Sequence, residues 1–189
     1  MGIPMPTYTD DTDVHLIERM ARGDTQALDE LYARLGGAIL GFLTSRLSNR
    51  QLAEEVLQDV MLAAWKNAKS FRGDSKVKTW LLVIARNRAI NSQRKRSLEL
   101  VQLNETYGYQ SEDTGPMERM VKQANRDVVR SAIDQLPEGQ KEVLILVFYH
   151  QLSGPEVAEV LDISEGTVKS RLHRAKDQLK HLLGNEGSY

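Results

Sequence analysis

The sequence predicts an all-α protein of two small helical domains joined by an acidic linker. Three observations carry that expectation. Apolar residues recur at three-and-four spacing along nearly the whole chain, as on one face of a helix. No run alternates apolar and polar residues as a half-buried strand would. Helical order lapses once, over residues 97–117, where Gly108, Gly115, Pro116 and the polar run QSEDTG stand. A chain of 189 residues accommodates one ordinary domain or two small ones, and the lapse selects two.

The elements follow in order. Residues 14–21 form a short helix stopped by Gly23. Asp24 caps a second, carrying Ala27, Leu28, Leu31, Tyr32 and Leu35. Gly36-Gly37 is expected to break it before Ile39, Phe42, Leu43 and Leu47 resume the pattern. Ser48 and Gln51 have capping-box spacing. The clearest helix comes next, with Leu52, Ala53, Val56, Leu57, Val60, Met61, Ala64, Trp65 and Ala68 on one face. Phe71 to Ser75 reads as a loop. A helix from Val77 to Arg96 follows, with Trp80, Leu81, Ile84 and Ala85 expected inside. After the linker a helix runs from Glu118 to Leu136, and Pro137 suits the first turn of the next. Val143, Leu144, Leu146, Val147 and Phe148 are its expected core residues. Ser153 and Glu156 form a second capping box before Val157, Ala158, Val160 and Leu161. Asp162-Ile163-Ser164 is a tight turn, and residues 165–183 are the last helix.

Composition excludes several classes of function. With no cysteine there is no disulfide scaffold, thiol nucleophile, iron–sulfur cluster or Cys-type zinc site. No apolar run approaches the ~20 residues of a membrane span. The start, MGIPMPTYTDDTD, lacks the charged-then-apolar pattern of a signal peptide. The net charge of −1 conceals strong local asymmetry. Residues 86–96 hold five basic residues and no acid; residues 164–181 hold five basic residues and two acids; residues 97–125 hold five acids and two basic residues. Two basic patches flanking an acidic stretch fit a nucleic acid contacted at two places, or two solvated helix faces.

The last two helices have the spacing of a helix-turn-helix. Val157, Ala158, Leu161, Ile163, Val168 and Leu172 would seal them together. Thr167, Lys169, Ser170, Arg171, His173 and Arg174 remain around the exposed side, where they could meet base edges and phosphates. A helical hairpin with a basic solvated face has the same spacing. His173 has no metal-ligand spacing with His15, His150 or His181.

In the first domain, Glu55 and Asp59 stand four apart on the polar face of one helix, with Gln58 and the apolar Leu62 beside them. That face reads as a solvated acidic stripe or as an acid/base or metal pair, although no His or third carboxylate accompanies it. The loop Phe71, Arg72, Gly73, Asp74, Ser75, Lys76 offers polar groups and room for a flipped base. Asn87 can meet a base edge, and Arg86, Arg88, Arg94, Lys95 and Arg96 can hold phosphates; an ordinary loop and a core helix fit the same residues. Trp80 is a stacking platform or, on its spacing with Leu81 and Ile84, a core residue.

LSGPEVAEVLDISEGTVKSRLHRAKDQL resembles region four of group-four, extracytoplasmic-function (ECF) sigma factors of the sigma-70 family. AEEVLQDVMLAAWKNAKSFRGDSKVKTWLLVIARNRAINSQRKR resembles their region two, with its Phe-Arg-Gly loop, Thr79-Trp80-Leu81 and Ile84-Ala85-Arg86-Asn87. The likeness covers residues 14–183. Pro155, Asp162 and Glu54 depart from the usual family residues. The resemblance implies two helical domains without catalytic residues, cofactor or metal. It implies a tail at 1–13, a region-two domain at 14–97, a linker at 98–117, a region-four domain at 118–183 and a tail at 184–189. The region-two domain would dock core RNA polymerase through Glu55, Gln58, Asp59 and Leu62. It would also open and read the minus-10 element through Phe71, Arg72, Gly73, Asp74, Ser75, Lys76, Arg86, Asn87, Asn91 and Arg94. The region-four domain would read the minus-35 duplex through Thr167, Lys169, Ser170, Arg171, His173 and Arg174. The implied partners are the polymerase's beta-prime clamp and beta flap, promoter DNA and an anti-sigma factor. The implied setting is the bacterial cytoplasm, at the nucleoid when in holoenzyme, with no membrane insertion of its own. The acidic linker is a plain tether or, as the family implies, a segment passing toward the polymerase active centre. An autonomous helix-turn-helix regulator would need no docking surface in the first domain. An anti-sigma-sequestering adaptor would need a receiver domain, for which no α/β pattern exists here.

Overall fold

The structure, a computed structural model, describes residues 11–47, 49–102 and 128–185. Helix α1 spans Asp11–Ala21, α2 Thr25–Leu47, α3 Arg50–Asn67 and α4 Val77–Gln102, with a 3-10 turn at Ala68–Ser70. Residues 128–134 are helical (α5), followed by α6 Glu138–Phe148, α7 Gly154–Leu161 and α8 Glu165–Asn185. No strand occurs among the described residues. The chain divides into two compact units, α1–α4 in the first and α6 with α8 in the second. The expected linker lies outside the described residues except at its start, where α4 continues past Arg96 to Gln102.

In the first unit, α2 packs against α1, α3 and α4, and α3 packs against α4. Leu31, Ile39, Phe42 and Leu43 of α2 are buried with Ala53, Val56, Leu57, Val60 and Ala64 of α3. Leu81, Leu82, Ala85 and Ala89 of α4 complete that core, and Leu16, Ile17 and Met20 are the buried residues of α1. Helix α1 begins earlier than expected and includes Asp13. Its carboxylate is buried and accepts a hydrogen bond from Arg34 Nε at 2.6 Å, tying α1 to α2. A buried acid needs such a partner.

Helix α1 closes in a Schellman motif. Gly23 N donates to Met20 O and Asp24 N to Arg19 O, at 2.9 and 3.1 Å, with Gly23 at φ +91°. Asp24 then starts α2 as expected, accepting from Gln26 N at 3.0 Å. Arg19 Nε donates to Asp24 at 2.8 Å and its Nη1 to Glu30 at 3.0 Å. The Arg19 hydrogen bond holds the Asp24 carboxyl below its ordinary range, and the two carboxylates raise the Arg19 guanidinium.

Helix α2 runs unbroken through Gly36-Gly37. Leu31, Leu35, Ile39 and Phe42 keep one helical register across the pair, so burial overrides the weak helix propensity of glycine. Tyr32, expected inside, is half exposed and covers Gly36, where an added Cβ would lie 3.5 Å from its ring. Helix α3 is capped by Asn49, whose side chain accepts from Leu52 N at 2.9 Å, one residue after the expected cap.

In the second unit, Leu136, Leu144 and Ala175 form a buried cluster with Ile133 and Leu179 packed on it, which seats α8 along α6. Pro137 is the N-cap of α6 rather than its first helical residue. Its carbonyl accepts from Gln140 N and Lys141 N at 2.8 and 3.0 Å. Phe148, expected in the core, remains 57% exposed because α6 ends there.

Gly37 is exposed and nothing lies within 4 Å of the Cβ it lacks. Gly37→Ala should therefore stabilise the protein by about 0.5–1 kcal/mol, seen as a higher Tm in thermal unfolding. A lower Tm would contradict a straight, unstrained α2 at this position.

Candidate nucleic-acid interface

The second unit presents α8 on a short turn. Helix α7 ends as α1 does: Asp162 N donates to Glu159 O and Ile163 N to Ala158 O, at 3.3 and 3.1 Å. Asp162 takes the left-handed position at φ +51°, a conformation that glycine adopts without strain. At the other end of α7, Glu156 reaches back to Ser153 N at 2.8 Å and to the Ser153 hydroxyl at 2.6 Å. This satisfies one half of the capping box. Pro155 falls in the first turn, where its missing N–H costs nothing.

Ser164 caps α8, accepting from Thr167 N at 3.1 Å, and its hydroxyl lies 2.9 Å from the Thr167 hydroxyl. Val168 and Ala175 point into the core, with Leu172 half-buried on the same side. The opposite face exposes Lys169, Ser170, His173 and Arg174. Arg171 stands apart from these four. It is half-buried on the flank toward α6, and a Cβ on Gly139 would meet its Nη1 at 3.0 Å. The missing side chain at Gly139 thus makes room for the guanidinium. His173 Nδ1 lies 2.8 Å from Asp177 Oδ2, and both residues are exposed. Spacing could have found this pair, since it is an i,i+4 contact. Lys176 Nζ lies 5.4 Å from the centre of the exposed Phe148 ring.

The first unit carries two further surfaces. Glu55, Gln58, Asp59 and Leu62 all project from one face of α3, and Leu62 is 52% exposed. Among the described residues no group of three or more His, Cys, Asp or Glu is placed to hold a metal.

Helix α4 buries Val77, Thr79, Leu81, Leu82, Ala85 and Ala89. Trp80, expected inside with Leu81, is half-buried and lies on the outer face, in line with Asn87, Asn91 and Arg94. Its separations of seven, eleven and fourteen residues place these side chains on one helical stripe. Asn87, Arg88, Asn91, Arg94, Lys95 and Arg96 are exposed, whereas Arg86 is half-buried with its Nε enclosed and without a hydrogen bond. The Phe71 ring leans on Trp80, with centroids 5.1 Å apart at 54°. In the same loop, Gly73 takes φ +75° and Arg72 Nε pairs with Asp74 at 3.0 Å. That exposed pair adds about 0–1 kcal/mol. Ser75 is half-buried and Lys76 exposed. Beside the loop opens a groove of about 400 Å³, lined by Ile17 and Glu18 of α1, by Arg22 just beyond its end, and by Phe71, Arg72 and Gly73. Nothing in the sequence pattern of α1 signalled its share in this groove, because contacts between distant elements leave no local periodicity.

Comparisons with known proteins identify a family in each half of the chain. Residues 31–99 match the model of Sigma-70 region 2, and residues 126–179 that of Sigma-70, region 4. The RNA polymerase sigma-H factor of Pseudomonas aeruginosa is 31% identical over 184 residues, 93% of this chain and 95% of that protein. The ECF RNA polymerase sigma-E factor of Haemophilus influenzae is 31% identical over 182 residues, 91% and 95% of the two chains. Among solved structures, the sigma factor RpoE of Bartonella quintana, in complex with the anti-sigma factor NepR, superposes with a TM-score of 0.65 at 27% identity. That match covers 82% of this chain and 96% of that one. The chain belongs to the ECF RNA polymerase sigma factors of the sigma-70 family. Such proteins are transcription initiation factors rather than enzymes.

The left-handed Asp162 makes a local prediction. Asp162→Gly should relieve strain at the α7 terminus and stabilise it by about 1 kcal/mol. Slower amide exchange in α7 is the expected result, and unchanged exchange would contradict the strain.

Proposed function

We propose that this sigma factor docks core RNA polymerase through α3 and reads a promoter at two separated elements. The single observation that carries the reading is the stripe Trp80, Asn87, Asn91 and Arg94 beside the groove at Phe71–Gly73. It sets an aromatic ring, two amide side chains and a cation in line, next to a space that one flipped base could enter. Stacking, base-edge hydrogen bonds and phosphate attraction are the three requirements for holding a melted strand. The first unit accordingly binds the minus-10 element as single strand, with Asp74 and Ser75 at the loop and Arg86, Arg88 and Lys76 toward the backbone.

The exposed face of α8 lies in the major groove of the minus-35 duplex. Lys169, Ser170, His173 and Arg174 face the DNA, Thr167 lies at the helix start, and Arg171 braces the helix on α6 as well as bordering the phosphates. Residues 14–97 and 118–183 are the two working domains, and residues 98–117 join them. On α3, Gln58, Asp59 and Leu62, with Glu55 alongside, meet the beta-prime clamp, while the second unit meets the beta flap. An anti-sigma factor is a further partner, extended from the complex of the Bartonella quintana protein. No helix among the described residues is long and apolar enough to cross a membrane. Action with polymerase places the protein in the cytoplasm, at the nucleoid.

Charge reversal on α3 separates docking from folding. Asp59→Arg should abolish holoenzyme formation in a pull-down while leaving the melting curve within about 0.5 kcal/mol of wild type, since the residue is an exposed surface position. Undiminished holoenzyme formation would refute the docking surface.

The two DNA elements separate by step. Arg174→Ala should weaken promoter binding and flatten its salt dependence, through the loss of a phosphate or base-edge contact. Asn87→Ala should leave binding nearly intact and reduce strand opening, detected by permanganate. Failure of both variants at duplex binding alone would overturn the division of labour.

A further inference from the structure

We propose that Asp177 is a positioning residue on the recognition helix: it fixes the tautomer of His173, so that His173 Nε2 selects an amino-bearing base in the major groove. The inference rests on the reading of α8 as the minus-35 recognition helix. Two observations carry it. The first is geometric. His173 Nδ1 stands 2.8 Å from Asp177 Oδ2 one helical turn further on. An ionised carboxylate only accepts hydrogen bonds, so Nδ1 must carry the proton. In the neutral ring Nε2 is then left as a lone-pair acceptor pointing away from Asp177. The ring that could otherwise offer either a donor or an acceptor is committed to one.

The second observation is electrostatic. Asp177 is an exposed acid on the face that also carries Lys169, Ser170 and Arg174, where the partner is a polyanion. Placed there it opposes phosphate approach. A local task for the carboxylate offsets that cost, and orienting His173 is the task assigned here to its 2.8 Å contact. The other charges on this side of α8 are Lys169, Arg174, Lys176 and Lys180, all of them donors, so none can accept a hydrogen bond from Nδ1. With 77% of its side chain in solvent, His173 is free to reach into a groove.

The chemistry of the base edges defines what such an acceptor selects. Adenine N6 and cytosine N4 present donors in the major groove, whereas guanine O6 and N7 and thymine O4 present acceptors. An Nε2 lone pair therefore favours adenine or cytosine, on the strand it faces, over guanine or thymine. The selection is amino over keto, which is distinct from the guanine preference of Arg or Lys.

The test uses reconstituted holoenzyme and a promoter library randomised through the minus-35 element. Wild type should show an amino-over-keto preference of about fivefold at one position, the scale of one net hydrogen bond. His173→Ala should erase it there and nowhere else. Asp177→Ala should erase the same preference at the same position while tightening binding across the library, because a negative charge leaves the DNA face. Asp177→Glu should retain the preference. A merely structural role for Asp177 would not separate selectivity from affinity in this way. An intact amino preference in Asp177→Ala, or a preference lost evenly at every minus-35 position, would overturn the proposal. A wild-type profile flat throughout the minus-35 element would instead overturn the reading of α8 beneath it.

Discussion

The seating of α3 between α2 and α4 is the constraint on which the first unit depends. Helix α3 packs on both neighbours, and much of its buried surface is alanine: Ala53, Ala63 and Ala64, with Ala68 just beyond its end. Helix α4 answers with Ala85 and Ala89. Small residues let the helices approach closely, and the larger buried side chains, Val56, Leu57, Val60, Leu81 and Leu82, fill the space around them. Burying each of these larger side chains contributes about 1.5–3 kcal/mol, several times what an exposed ion pair adds. Stability is thereby settled inside. The outward faces of α3 and α4 are left free to differ in character, one acidic with an exposed leucine, the other basic with an aromatic ring and two amides.

The second unit solves a narrower problem with fewer buried residues. One helix must be held firmly by one side while presenting the other. Ala175 and Leu179 seat α8 against Leu136 and Leu144, and Arg171 adds a polar brace over Gly139. Ser164 fixes where the helix begins. The turn before it spends backbone strain at Asp162 to finish α7 and redirect the chain. Gly23 performs the same closure after α1 without that strain, so the two termini show one hydrogen-bond pattern at two conformational costs.

Helix type and order were legible in the sequence because burial on one face imposes a period of 3.6 residues. The family was legible because GTVKSRLHRAK and the Phe-Arg-Gly to Asn87 stretch are long, ordered strings. Legibility failed where local chemistry and tertiary packing disagree. Gly36-Gly37 reads as a break, but the apolar register continues through it and packing keeps the helix whole. Trp80 reads as core because it neighbours Leu81, yet the helix turns it outward to meet Phe71. Phe148 reads as core by composition and is left outside by the end of α6. The groove that α1 shares with the loop could not be read at all, because it joins residues some fifty positions apart. Asp177 was visible as an acid in a basic helix, four residues from His173, and the structure brings the two to 2.8 Å.

The proposed function makes one claim above the others: neither proposed DNA-reading surface suffices without the polymerase that α3 is proposed to recruit. On that proposal the basic stripe of α4 serves a melted strand, which a free protein of net charge −1 has little means to create. Transcription from a promoter library, with core RNA polymerase in the presence and absence of this protein, tests that claim most directly. The account predicts initiation at a restricted set of promoters sharing two spaced elements, only when both components are present, and weak duplex binding by the free protein. Tight, sequence-specific duplex binding by the free protein, with no promoter-specific transcription on adding core polymerase, would contradict it and favour an autonomous helix-turn-helix regulator.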